Sequence, residues 1–277
     1  MAITAAEVNK LRQITGSGIM DCKSALLEAE GDIEKAIDVL RKKGQKVAAK
    51  RADRNASEGY VIAKTNPEHT YGVVLMLNCE TDFVGKTSDF IECAESIIDF
   101  AIANKVGNLQ QLFDSKLASN RTVQELLVDI TGKTGEKIEL NQFETLEKPF
   151  VAIYNHNGNR LATLVGFNKK APNLDVAGHE VAMQIAAMNP ISVNEKDVPQ
   201  NVIDRELDIA REQIRNEGKP EAMVDKIAQG KLNKFFKENT LVNQDFIRDS
   251  KKTVGQYLKE VDTGLIIETF YRLQLGE

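Results

Sequence analysis

The sequence predicts an α+β protein built from antiparallel sheets with helices on one face, and three observations predict it. Residues 1 to 44 carry apolar residues at helical spacing, with start and stop residues for three short helices. The spacing then changes to strand alternation at Gly59 and again near Phe150, each time as two strands followed by a helix. A highly charged stretch from Val198 to Glu238 has a narrow apolar stripe on either side of a turn, the pattern of an antiparallel helical hairpin inserted into the second copy.

The opening helices follow from their punctuation. Thr4 and Glu7 form a capping-box pair ahead of the stripe Val8 and Leu11. Gly16 and Gly18 break the chain, a second helix runs from Met20 through Ala25, Leu26 and Ala29, and Gly31 suits the left-handed turn that ends it. Asp32 caps a third helix with the stripe Ile33, Ala36, Ile37 and Leu40. The cations Arg41 to Lys43 complement the negative end of that helix, and Gly44 is expected to stop it. Three helices of this length enclose a very small core, so residues 1 to 54 read as a docking module with a basic linker over 45 to 58.

The first sheet unit, 55 to 147, has strands at Gly59 to Thr65 and Tyr71 to Cys79, an Asn66-Pro67 turn, and a helix from Ser88 to Ala103 carrying Phe90, Ala94, Ile97 and Ile98. The second, 148 to 277, repeats this: a strand from Phe150 to Tyr154, an Asn157-Gly158 hairpin signal, a strand at Arg160 to Asn168, and a helix from Asp175 to Met188 with Val181, Ala182, Ile185 and Ala186. Between them, Thr122 and Glu125 cap a helix carrying Val123, Leu126 and Ile130, and Lys137 to Leu140 reads as a further strand. Leu265, Ile267, Thr269, Tyr271, Leu273 and Leu275 alternate, so one face of a last strand should complete the second sheet. In the inserted hairpin, 196 to 240, the seam is read as Ile203, Leu207, Ala210 and Ile214 going out and Met223, Ile227 and Phe235 coming back, with the turn at Asn216 to Pro220.

Composition narrows the function classes. With 42% hydrophobic and 28% charged residues the chain is of the soluble globular type. The start MAITAAEV has no basic leader, and no stretch reaches the ~18 apolar residues of a spanning helix, so a cytoplasmic location is expected. A net charge of -5 argues against general nucleic-acid binding. The local exception is seven basic residues between Arg41 and Arg54 against the single acid Asp53, read as a solvated linker or helix end in preference to a binding patch. The three cysteines, Cys22, Cys79 and Cys93, are odd in number and widely spaced, which fits small buried hydrophobes better than a disulfide or zinc framework.

The motifs of bond chemistry are missing. There is no phosphate-binding Gly-x-x-x-x-Gly-Lys loop, Gly-x-Gly-x-x-Gly turn, His-Glu-x-x-His pair or Gly-x-Ser-x-Gly elbow, and TGSG at 15 to 18 does not follow a strand. His69, His156 and His179 are isolated and read as surface residues. No metal and no cofactor is expected. From residue type alone, Asp82 reads as a helix-start residue and Phe83 as core.

Two strings carry a resemblance. LRQITGSGIMDCKSAL at 11 to 26 resembles the amino-terminal signature of the elongation factor Ts family, a ubiquitin-associated-like three-helix domain, and NCETDFV at 78 to 84 resembles that family's second signature. KTVGQYLKE at 252 to 260, the duplicated core and the hairpin extend the likeness over nearly the whole chain. The resemblance implies a guanine nucleotide exchange factor for elongation factor Tu, with no bond chemistry of its own and no direct nucleic-acid or membrane contact. It implies that Thr81, Asp82, Phe83 and Val84 form the loop inserted beside the partner's magnesium site, so that GDP is released. It also implies partner contacts at Arg12, Met20, Asp21 and Lys23, with Lys50 and Arg51 nearby, and at the second-subunit positions Leu161, Ala162 and Gln184. The last three depart from the residues common in the family, and the chain ends at LQLGE where some members add a helix that also touches Tu. A higher-order Tu–Ts assembly stays open. On the residues alone two other classes also stay open, a protein-binding adaptor and an RNA-binding factor using the basic linker.

Overall fold

The computed structural model describes residues 3–117 and 121–277. Helices α1 (Ala5–Thr15), α2 (Ile19–Glu28) and α3 (Ile33–Lys50) close on Val8, Leu11, Cys22, Ala25, Leu26 and Ala36. Their ends are those the punctuation predicts. The Thr4 backbone N–H donates to Glu7 Oε2 at 2.7 Å, Gly31 has φ 88°, and the Lys35 N–H donates to Asp32 Oδ1 at 3.1 Å.

Strands β1 (Glu58–Thr65) and β2 (Tyr71–Cys79) form an antiparallel hairpin, followed by the single turn α4 (Asp82–Gly85) and by α5 (Ser88–Asn104), α6 (Leu109–Asp114) and α7 (Val123–Thr134). Strand β3 (Glu139–Glu147) then pairs with β2, giving a first sheet ordered β1-β2-β3. Strands β4 (Phe150–Asn155) and β5 (Leu161–Phe167) lead into α8 (Leu174–Met188) and the hairpin of α9 (Gln200–Asn216) and α10 (Glu221–Asn239). A small ribbon of β6 (Asp245–Phe246) and β7 (Asp249–Thr253) precedes α11 (Val254–Val261), and β8 (Ile267–Gln274) completes a second sheet ordered β4-β5-β8.

Strand alternation now explains the layers. One face of the first sheet, with Ile62, Val73, Leu75 and Leu77, packs under Phe90, Ile97, Ile98 and Ile130 of α5 and α7. The outer face of the second, with Phe150, Val165 and Phe167, packs under Val181, Ile185, Val254 and Leu258 of α8 and α11. The two remaining faces meet each other: Val61, Ala63, Val74 and Met76 lie against Val151, Ala162, Leu164 and Leu273. The result is helix, sheet, sheet, helix. That is why β2 and β5 are buried at every position.

Four expectations are corrected. Gly44 does not stop α3, which continues to Lys50, so the expected linker begins only after it. The reason is packing: α3 crosses α7 so closely that a Cβ on Gly44 would sit 2.9 Å from the Val128 carbonyl oxygen, and one on Gly132 would sit 3.1 Å from the Gly44 Cα. The favourable helix formers around Gly44 and this contact outweigh its intrinsic cost of about 1 kcal/mol. Strand β3 runs on past the predicted Lys137 to Leu140 as far as Glu147, since its pairing with β2 continues to Tyr71; the sequence hides this because Met76 pairs with Gln142 while Leu77 pairs with Leu140, leaving Asn141 as an extra residue that breaks the alternation. The same device divides β8. Phe167 pairs with Ile267 and Gly166 with Thr269, so Glu268 is extra; Leu265, Ile267 and Phe270 face the helices, whereas Tyr271, Leu273 and Leu275 face the other sheet. In α10 the seam is Val224, Ala228, Leu232 and Phe236, with Ile227 and Phe235 at its margin and Met223 exposed.

Candidate functional site

The loop leaving β2 is shaped first by its backbone. Gly59 opposite has φ 151°, and a Cβ there would lie 2.1 Å from the Leu77 carbonyl oxygen, so only glycine fits beside the strand end. Gly85 seats against this position, with an added Cβ 3.3 Å from the Gly59 oxygen. Thr81 caps α4: the Val84 N–H donates to its Oγ1 at 3.4 Å, and the Gly85 N–H donates to its carbonyl at 3.2 Å. The Cys79 thiol donates to the same carbonyl at 3.0 Å, and burial holds that thiol up at about 12.

With both ends of the turn held, the side chains divide sharply. Val84 packs into the first core, whereas Phe83 is 81% exposed, the most exposed of the large hydrophobic residues in the described chain. The residue-type reading of Phe83 as core, which the family resemblance reverses, is thereby corrected; α4 is one turn long, and its inward position is taken by Val84. Asp82 is half-buried beside it, paired with Lys86 at 2.6 Å, and that hydrogen bond and charge hold its carboxyl below the usual range. The loop therefore presents an aromatic ring next to an ionised carboxylate.

Residues outside the loop brace it, and these were not foreseen. The Glu80 and Thr81 N–H groups donate to Glu136 Oε2 at 3.1 and 3.0 Å, and the Thr81 hydroxyl donates to Glu136 Oε1 at 2.6 Å. The Lys137 N–H in turn donates to Glu80 at 2.7 Å, and Arg51, at the end of α3, reaches both Glu80 oxygens at 2.8 and 2.9 Å. The Lys137 N–H is the larger cause, and Arg51 a further one, that lowers the Glu80 carboxyl below its usual range. Nothing local in the sequence marks Glu136. Its role comes from the fold bringing the end of α7 to the end of β2.

The structure distributes the other predicted residues unevenly. Arg12, Met20, Lys23 and Lys50 are exposed, and Met20 is joined by exposed Ile14, Ile19 and Leu27 on the first two helices. Asp21 is half-buried and ion-paired with Lys43, and Arg51 is engaged by Glu80. Leu161 and Ala162 lie in buried β5, and Gln184 is fully buried. Its amide donates to Gln244 Oε1 and the Asp245 carbonyl, both at 3.2 Å, and accepts from the Ile247 N–H at 2.8 Å. Leu161 is buried, Ala162 packs against the first sheet and Gln184 is hydrogen-bonded within the second unit, so the accessible set is the loop plus the helical face.

The remaining chemistry-bearing residues are also engaged. His69 stacks on Phe150 with centroids 5.4 Å apart, His156 lies 2.9 Å from the Tyr154 hydroxyl, and His179 Nδ1 donates to the Ile153 carbonyl at 3.2 Å. All three cysteines are free and buried. No cluster of metal-ligating side chains occurs among the described residues, and none of their helices is long and apolar enough to cross a membrane.

Residues 80–277 match the family model described as Elongation factor TS. Among curated proteins, the chain is 53% identical over 274 residues to "Elongation factor Ts" of Christiangramia forsetii, covering 99% of each. It is 50% identical over 274 residues to that of Flavobacterium psychrophilum, again covering 99% of each. It is 50% identical over 277 residues to that of Amoebophilus asiaticus, covering 100% of each.

Proposed function

The chain belongs to the elongation factor Ts family of translation elongation factors, and from that premise we propose that it binds elongation factor Tu and accelerates release of Tu-bound GDP without making or breaking a covalent bond. The observation that carries this reading is Phe83: a large apolar side chain, 81% exposed, on a turn whose backbone is fixed from both sides. A ring carried on a flexible loop would cost backbone entropy on docking, whereas the backbone that carries this one is already held by hydrogen bonds. Burying it in a partner gains roughly 1.5 to 3 kcal/mol, and the adjacent Asp82 carboxylate brings negative charge to a magnesium shell made of oxygen ligands and water.

Exchange then follows from linkage. If the inserted loop is compatible with nucleotide-free Tu and not with intact magnesium and phosphate contacts, the chain binds the empty form more tightly. GDP must then weaken its binding by the same factor. The exposed Arg12, Met20 and Lys23, with Asp21 between them, supply a second contact that holds the chain on its partner while the loop enters. Lys50 and Arg51 lie at the end of α3, where Arg51 already touches the base of the loop.

The test is the rate at which fluorescent GDP leaves Tu, in excess unlabelled GDP, with increasing amounts of the chain or of Phe83→Ala. Wild type should accelerate release catalytically. The variant should lose roughly 10- to 150-fold in efficiency, the equivalent of the burial energy, with its own thermal stability unchanged. Acceleration equal in both would remove the wedge, and no acceleration by wild type would remove the exchange reading.

A further inference from the structure

Two dipeptides from distant parts of the chain brace one another at the base of the exposed loop. Glu80 and Thr81 follow β2; Glu136 and Lys137 follow Gly135, which ends α7 in the left-handed conformation with φ 71°. The Glu136 carboxylate accepts three hydrogen bonds from the first pair, two from backbone N–H groups and one from the Thr81 hydroxyl. The Glu80 carboxylate accepts one from the backbone of the second pair and two from Arg51. Both carboxylates accept charge-assisted bonds, the stronger kind, and both are aimed at backbone, which fixes position as well as contact.

We infer that Glu136 is a positioning residue for the Thr81–Val84 loop, closing with Glu80 a reciprocal clamp that sets where Phe83 points. The inference rests on the exchange reading above. Glu136 is four residues nearer the chain end than Gly132, the glycine that α7 presses against Gly44 of α3. Arg51, which ends the same α3, is tied to Glu80. The docked helix pair and the loop therefore share one hydrogen-bonded base. Phe83 and Asp82 do the partner chemistry; Glu136 keeps them presented.

The experiment compares full-length wild type, Glu136→Ala and Glu136→Gln. Glutamine keeps a carbonyl oxygen able to accept from the Glu80 and Thr81 N–H groups, so it serves as the conservative rescue. Two readouts are taken: GDP release from Tu as a function of factor concentration, and amide hydrogen exchange at residues 80 and 81 in the free chain. Glu136→Ala should lower the maximal acceleration about tenfold while the half-saturating concentration moves less than about twofold, because the helical face still docks. Its Glu80 and Thr81 amides should exchange at least about tenfold faster, and Glu136→Gln, which keeps one acceptor for both N–H groups but loses the charge and the acceptor for the Thr81 hydroxyl, should fall between alanine and wild type in both readouts. Glu136→Ala with undiminished acceleration, or with lost acceleration but wild-type protection at both amides, overturns the clamp. So does a Glu136→Gln chain of unchanged thermal stability that is no better than Glu136→Ala in either readout. A wild type that does not accelerate release overturns the exchange reading instead, and amide protection then decides the clamp alone.

Discussion

Replacing Gly44 by alanine should be neutral to destabilising, whereas the same replacement at Gly230 should stabilise, although both glycines sit inside helices. Helix propensity alone favours alanine over glycine by about 0.8–1 kcal/mol at either site. At Gly230 nothing lies within 4 Å of the added methyl, so that gain should be realised as a stabilisation of about 1 kcal/mol. At Gly44 the methyl would stand 2.9 Å from the Val128 carbonyl oxygen and 3.3 Å from Val128 Cγ1. The side-chain carbon can rotate away, but the carbonyl belongs to the α7 backbone and moves only if the helices separate. Overpacking of this kind costs about 1–3 kcal/mol. Gly44→Ala should therefore lie about 1–3 kcal/mol below Gly230→Ala, and since the propensity gain is common to both, the difference measures the helix–helix contact alone. Urea unfolding followed by far-ultraviolet circular dichroism, with slopes compared as well as midpoints, gives the two values. A separate early transition in Gly44→Ala would report undocking of the three-helix unit. Equal stabilisation by the two substitutions would refute the close crossing of α3 and α7.

Two further outcomes follow from the buried and braced groups. The Glu80 carboxyl is lowered in the folded chain, so its contribution is complete above the unfolded value of ~4.3 and is lost as pH falls through the folded value. Wild type should exceed Glu80→Gln in stability near neutral pH and converge with it in acid; a gap that persists unchanged to the lowest pH would show that the ionised carboxylate contributes nothing. Gln184→Ala should destabilise by about 1–3 kcal/mol, because it empties a fully buried side-chain position and removes the partner of the buried Gln244 amide oxygen and of the part-buried Asp245 carbonyl and Ile247 N–H. Below its melting range the variant should still accelerate GDP release, and loss of exchange with unchanged stability would make Gln184 a direct partner contact.

How much of this protein could be read along the chain depends on the range of the interaction involved. Capping boxes at Thr4 and Thr122, the Gly31 turn and the two hairpins are decided by neighbours within a few residues, so residue order alone determined them. The loop could be located by the string NCETDFV, yet residue type put Phe83 in the core, since an isolated phenylalanine carries no sign of which way a one-turn helix will face. Local patterns failed wherever a second segment takes part. Asn141 and Glu268 break the alternation because each strand must match the register of its neighbour. Gly44 looks like a stop until α7 is laid across it. Gln184 looks available on a helix until Gln244 and the Asp245–Ile247 turn close over it. The packing of the two sheets and the clamp of Glu80 and Glu136 were likewise decided only in three dimensions, where residues over fifty positions apart meet through hydrogen bonds that leave no period in the sequence.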